Sequence, residues 1–382
     1  MAPRYDLVVI GGGTAGLVSS IGAASLGARV ALVERERLGG ECLYTGCVPT
    51  KTLAKSARVA SLIKRSEKFG IKSGGVEVDL PAVMDRMDEA IRVAGEHDEP
   101  DYVRKQGVEV FTGHEAHFEG PDQISVDGRR LTTRSAIIAT GSHSIAPPIN
   151  GIEEVGYLTH VEALKLRRLP RSIVIIGAGP IGCEFAQIFA RFGSEVTLLD
   201  TVSLPLPREE PEIGALTKRI LASDGVTFRG GYRIKEARKE GGEKVLAAAS
   251  EEGERIEVRG DEVLIAAGRA PTVDGLGLKN AGVELQERGL RVDMLTDVLE
   301  GERSPVRRRW SGRRGRRRTA AGGPTGRALQ ARRGGREPGR ARSRGAVGGG
   351  GLRRRDGPQD LRRRRFQGSV KEKDEIEKGR QY

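Results

Sequence analysis

Two of the chain's three cysteines stand five positions apart in GGECLYTGCVPTK, residues 39–51. Sulfurs at that spacing can close a disulfide if the chain turns between them, and Gly46 supplies the flexibility. Such a pair can cycle between dithiol and disulfide by exchange. The following stretch, VPTKTLAKSARVASLIKR, reads as a helix. Pro49 suits its first turn, although Thr50 could also cap it. Cys47 then sits at or just before a helix N-terminus, where a thiolate is stabilised and the thiol pKa is lowered. Two unpaired buried cysteines and a metal site are the alternatives. Zinc needs two more ligands, and His97, His114, His117, His143 and His160 lie far off without ligand spacing. His114 and His117 make a loose H-x-x-H whose plainer reading is a surface loop, so no metal site is expected.

The elements that must position these sulfurs begin upstream, in YDLVVIGGGTAGLVSSIGAASLGARVALVERE. Leu7 to Ile10 reads as a buried parallel strand, ended by Gly11, Gly13 and Gly16 in G-x-G-x-x-G spacing. A helix follows, then a second strand ending at Glu34. Gly11 permits the tight turn, Gly13 lets the backbone approach a pyrophosphate, and Gly16 lets helix and strand pack closely. The helix N-terminus offers free N–H groups to phosphates, and Glu34 is placed to accept from ribose hydroxyls. A glycine-rich turn without ligand is the competing reading. The unit recurs in RSIVIIGAGPIGCEFAQIFARFGSEVTLLD, with a strand from Ile173 to Ile176, then Gly177, Gly179, Gly182 and a terminal Asp200. Both acids lie 18 residues past the third glycine. Two such units imply two dinucleotides, or one dinucleotide and a duplicated relic. A carboxylate at Asp200 suits a free 2′-hydroxyl and repels a 2′-phosphate, and no arginine follows until Arg208, so NAD is expected over NADP.

At 382 residues the chain can hold two or three domains. No signal-peptide pattern and no long apolar span is seen, and three cysteines do not make a secreted disulfide scaffold, so a cytoplasmic setting is expected. The net charge of +13 is not spread evenly. Residues 303–365 hold 23 arginines, no lysine and three acids, a surplus of 20, which leaves the rest of the chain at −7. The basic character belongs to a tail rather than to the body.

Taken together, these motifs resemble those of the flavoprotein disulfide reductases, which include dihydrolipoamide dehydrogenase, glutathione reductase and mercuric reductase. The family pattern GG-x-C-x4-C-x-P-x-K is met at every fixed position by GGECLYTGCVPTK. The resemblance implies that Cys47 is the thiolate lying against the flavin and Cys42 the interchange thiol that attacks substrate, the two forming a redox-active disulfide. Lys51 matches the lysine near flavin N5, and Glu184 its carboxylate partner. The stretches AIIATGS (136–142) and VLIAAGRAPT (263–272) resemble the family's two crossings between domains, which adds Thr140, Gly141 and Gly268 to the expected cofactor contacts. The implied fold is α/β, with two Rossmann-like dinucleotide-binding domains. An FAD domain is expected over 1–147, an NAD domain inserted at 148–270, and a return to the FAD domain over 271–302. FAD and NAD are the implied cofactors, and a disulfide or mercuric ion the implied substrate. Glu41 stands where threonine is common in the family, and no role attaches to it from sequence.

The pattern fails near residue 300. The family continues with a segment like T-S-x-P-x-I-Y-A-x-G-D and an interface domain through which it forms homodimers. That domain ends in a His and Glu pair serving the partner's active site. This chain has no histidine after His160. In their place stands an arginine- and glycine-rich tail over 303–382, expected to be disordered because low apolar content and high charge prevent a core. It reads as a frame error in a GC-rich gene, as a basic arm for nucleic acid or acidic partners, or as a linker. Impaired activity is expected of the chain as it stands. A non-catalytic nucleic-acid-binding protein is the alternative function.

Overall fold

The computed structural model describes residues 4–286, 289–293 and 298–299. The tail from residue 303, with its expected disorder and its nucleic-acid reading, lies outside the described residues.

The first apolar run forms strand β1 (Leu7–Ile10) and leads into helix α1 (Thr14–Ser25). Strand β2 (Val30–Glu34) returns beside β1 in parallel. Two helices follow, α2 (Gly40–Tyr44) and α3 (Cys47–Lys64). Strands β3 (Val108–Thr112) and β4 (Ala136–Ile138) complete a parallel sheet of order β3-β2-β1-β4. Strand β5 (Ser142–Ser144) leaves it, and the short helix α4 (His160–Ala163) precedes the second unit. Thr159 and Glu162 cap α4 reciprocally, which lets so short a helix stand.

The second unit repeats the first. Strand β6 (Ser172–Ile176), helix α5 (Pro180–Phe192), strand β7 (Glu195–Asp200), strand β8 (Val226–Gly230) and strand β9 (Glu262–Ile265) build a parallel sheet of order β8-β7-β6-β9. It is the same permutation as in the first sheet. Continuous apolar runs such as SIVII suit strands buried on both faces. A three-stranded antiparallel meander (Tyr232–Glu240, Glu243–Ser250, Arg255–Gly260) covers one face, where Leu246 and Ala248 pack with Val174 and Ile176. On the first sheet, Phe118, Ile124 and Val126 of a separate β-sheet pack with Val8 and Ile10.

Strand β10 (Arg269–Pro271) then pairs antiparallel with β5. The chain comes back to the first cluster, where Leu276 and Leu278 pack with Tyr5 and Val8, and Leu290 lies against the same group. The core beneath the second sheet also takes in α3. Leu53 and Ala57 of α3 share one buried cluster with Phe185 and Phe189 of α5 and with Ile173 and Ile175 of β6. That packing brings the helix that starts at Cys47 against the helix that carries Glu184. No described helix is long and apolar enough to cross a membrane.

Candidate active site

The two glycine loops are built to one plan. Gly11 and Gly177 both hold φ at +105°, and a Cβ on either would strike the carbonyl of Ala139 or Ala266. A Cβ on Gly16 or Gly182 would lie 1.8 Å from the carbonyl oxygen of Gly11 or Gly177, so only glycine lets helix and turn meet. The middle glycines differ in kind. Nothing among the described residues lies within 4 Å of a Cβ on Gly179, and only the Gly40 Cα, at 3.7 Å, approaches one on Gly13. These open positions are where a pyrophosphate would need room.

Each terminal acid holds its own loop. Glu34 Oε2 accepts from the Gly12 N–H at 2.6 Å, and Oε1 from the Glu36 N–H at 2.8 Å. Asp200 Oδ2 accepts from the Ala178 N–H at 2.5 Å, and Oδ1 from the Val202 N–H at 3.2 Å. A carboxylate has about four acceptor sites, so capacity remains for ribose hydroxyls. Gly11, Gly13, Glu34, Thr140 and Gly141 together line a cavity of about 580 Å³ that also reaches Glu41, His160 and Arg269. These residues fit a dinucleotide such as FAD. Gly268 lies outside that lining, and its carbonyl accepts from the Ile145 N–H at 3.2 Å.

Cys47 is the first residue of α3, with Gly46 as N-cap, as the proline pattern suggests. Thr50 is not a cap: it is buried inside the first turn, and its N–H donates to the Gly46 carbonyl. The expected fall in the Cys47 pKa is overturned. Its thiol is raised above the ordinary value, first by a hydrogen bond with Cys42 and then by burial. Lys51 and the backbone pull downward but do not prevail. A thiol that donates its proton in a hydrogen bond is stabilised in its neutral form. Cys183 is buried away from this pair, donates to the Ala178 carbonyl, and is pushed up to about 11 by burial.

Lys51 lies one helical turn beyond Cys47. Its Nζ meets Glu184 Oε1 at 2.6 Å, which joins α3 to α5 across the two units. The two histidines of the H-x-x-H diverge. His114 faces Asp127 at 3.7 Å, and His117 Nδ1 lies 2.8 Å from the Gly275 carbonyl.

Sequence reasoning missed a second cluster beside the sulfurs. Glu41 Oε2 takes a hydrogen bond from Arg269 Nη2 at 2.5 Å, and Oε1 lies 2.7 Å from His160 Nε2. His160 Nδ1 faces Ser144 Oγ at 3.1 Å. Burial pushes the His160 pKa down, and the nearby Arg269 charge adds to this, against the pull of Glu41. The one sequence signal was that Glu41 departs from the family's usual residue.

The doubled nucleotide fold, the paired thiols and the lysine–glutamate bridge define a nucleotide-dependent thiol–disulfide oxidoreductase class. The family described as pyridine nucleotide-disulphide oxidoreductase matches residues 5–298, and the chain belongs to it. Members of the family are oxidoreductases that use FAD and NAD(P)H. The chain is 35% identical over 298 residues to a dihydrolipoyl dehydrogenase of Acholeplasma laidlawii, covering 77% of this chain and 86% of that one. It is 33% identical over 281 residues to a mercuric reductase of Lysinibacillus sphaericus, covering 74% of this chain and 51% of the other. Among solved structures it resembles the HOCl-induced flavoprotein disulfide reductase RclA from Escherichia coli. The TM-score is 0.63 and the identity 30%, over 77% of this chain and 65% of that one. The chain thus spans only about half the length of the mercuric reductase it matches.

Proposed function

We propose that this chain is built to pass electrons from NADH to a disulfide or a mercuric ion through Cys42 and Cys47. The observation that carries this reading is the thiol pair at the start of α3, with Lys51 one turn on and bridged to Glu184. FAD held in the cavity at Gly11, Gly13, Glu34, Thr140 and Gly141 would supply two-electron exchange between a nicotinamide and a thiol pair. The second loop, with Gly177, Gly179, Gly182 and Asp200, takes NADH. The domain division follows: 1–147 and 271–302 serve FAD, and 148–270 serves NADH.

Cys42, as a thiolate, attacks one sulfur of the substrate disulfide, and the other sulfur leaves as a thiol. Cys47 then attacks Cys42, releases the second thiol and closes the Cys42–Cys47 disulfide. Lys51 holds positive charge beside Cys47 and favours its thiolate. Glu184 fixes that ammonium on the α5 side. For each turnover NADH and one proton are consumed and two thiols form.

His160 Nδ1 pairs with Ser144 Oγ, and Nε2 lies 2.7 Å from Glu41 Oε1. The test measures flavin absorbance of the purified chain and NADH-driven reduction of lipoamide, glutathione disulfide, mercuric ion and a dye. Cys42→Ser abolishes disulfide reduction and spares dye reduction. Unchanged disulfide turnover by Cys42→Ser overturns the reading.

A further inference from the structure

We infer that Glu41 is a positioning residue for Cys42: a charge clamp to Arg269 that sets how closely the two active sulfurs are held. The inference rests on the reading of Cys42 and Cys47 as a redox pair.

Helix α2, which carries Cys42, is five residues long. A helix that short has too few internal hydrogen bonds to fix its own place. It begins through Gly39 and Gly40, both with positive φ, which L side chains adopt rarely. Its position must come from ties to the rest of the molecule. Leu43 is buried, and Arg37 stacks on the Tyr44 ring at 3.4 Å from its centroid. Both ties act at the C-terminal end of α2. On the N-terminal side of Cys42 the Gly39 N–H donates to the Gly12 carbonyl at 2.9 Å, and Glu41 adds the one charged tie of α2 among the described residues, reaching 228 positions along the chain.

The far end of that tie is rigid. Arg269 donates through Nε to Ser142 Oγ at 2.9 Å and through Nη2 to the Ser142 carbonyl at 2.7 Å. It sits in the β5–β10 ribbon, opposite Ser144. Ser144 in turn faces His160, whose Nε2 lies 2.7 Å from Glu41 Oε1. The His160 side chain is only 7% exposed, so its ring packs as a buried wall beside the pair. Glu41 and Arg269 balance in charge, and a neutral His160 leaves that balance intact. Loss of either charged partner strands the other beside a buried ring.

The consequence falls on the sulfurs. An intramolecular disulfide is favoured in proportion to the effective concentration of one thiol at the other. Freeing α2 lowers that concentration at Cys47. Threonine cannot span the distance to Arg269 as a charge, so Glu41 gives this chain a tie that the usual family residue does not.

The test equilibrates the full chain in glutathione buffers, where Cys42 and Cys47 form their disulfide as one glutathione disulfide becomes two glutathione thiols. Alkylation and peptide mapping read the oxidised fraction. Glu41→Ala and Arg269→Ala each lower the oxidation equilibrium constant about tenfold, equivalent to about 30 mV. The double variant shifts it no further than the larger single change, because both remove one interaction. Arg171→Ala breaks another arginine–carboxylate pair, with Asp261 just before β9, and leaves the potential unchanged. Glu41→Gln, which keeps the volume, carries the measurement if Glu41→Ala melts early. A wild-type potential in both Glu41 variants and in Arg269→Ala overturns the clamp alone. A wild-type chain that never forms the Cys42–Cys47 bond overturns the redox reading, and the clamp with it.

Discussion

Asp200→Ser separates two roles that one carboxylate holds. Serine is too short to reach the loop, so the Ala178 N–H at 2.5 Å and the Val202 N–H at 3.2 Å both lose their acceptor. Both go to the same charged acceptor; the shorter contributes about 1.5–3 kcal/mol and the longer, weaker one about 0.5–1, for roughly 2–4 kcal/mol of lost stability. At about 2–4 °C per kcal/mol, the melting temperature falls by roughly 4–16 °C. NADH binding weakens as well, by about 1–3 kcal/mol or roughly 5–150-fold, through lost ribose contacts. Asp200→Asn divides the effects. Its amide oxygen still accepts from Ala178, so melting moves less, while the charge that repels a 2′-phosphate is gone and NADPH gains on NADH. Circular-dichroism melts and nucleotide titrations read the two roles independently. Asp200→Ser that melts and binds NADH like the parent refutes the geometry. A parent chain that binds NADPH better than NADH refutes the cofactor assignment.

Gly182→Ala places a Cβ 1.8 Å from the Gly177 carbonyl oxygen, and denaturant melts should show a loss of about 3 kcal/mol or more. Gly179→Ala meets open space at an ordinary backbone angle, φ −72°, so stability stays within about 1 kcal/mol of the parent while NADH affinity drops at least tenfold in titrations. Cys42→Ser weakens the thiol–thiol hydrogen bond that raises Cys47, so the pH midpoint of Cys47 alkylation moves down; an upward move refutes the assigned cause. Burial holds the folded His160 below the unfolded value of about 6.5, so its stabilising contribution is complete above pH about 6.5 and is lost as pH falls toward the folded pKa. His160→Gln removes that share of the acid loss, which shows as a flatter difference in unfolding free energy between pH 7 and pH 5.

The parts of the molecule legible in sequence are those whose cause is local. Gly11 and Gly177, the helices after them, and the acids 18 residues past each third glycine all follow from constraints inside a single strand–turn–helix–strand unit. Cys47 at a helix start was legible from the proline two positions on. Glu184 beside Lys51 was legible only through resemblance, since the pair spans 133 positions. Nothing local marks the Glu41–Arg269 tie or the neighbourhood of His160, because the packing of α2 against the β5–β10 ribbon creates both. The Cys47 pKa was misread for the same reason. The helix N-terminus is visible in sequence, whereas the stronger opposing hydrogen bond that Cys47 donates to Cys42 depends on how α2 is set down.

The two glycine loops share one shape but not one ceiling. Over the first, Gly39 bridges to Gly13 and its N–H donates to the Gly12 carbonyl at 2.9 Å, so the segment leading into the cysteines lies across the mouth of the loop. At Gly179, its counterpart, no described residue comes within 4 Å of where a Cβ would stand. The same strand–turn–helix, used twice, is therefore bordered by the cysteine segment in its first copy and not in its second, and on our reading a dinucleotide at the first loop would have to pass that segment to leave.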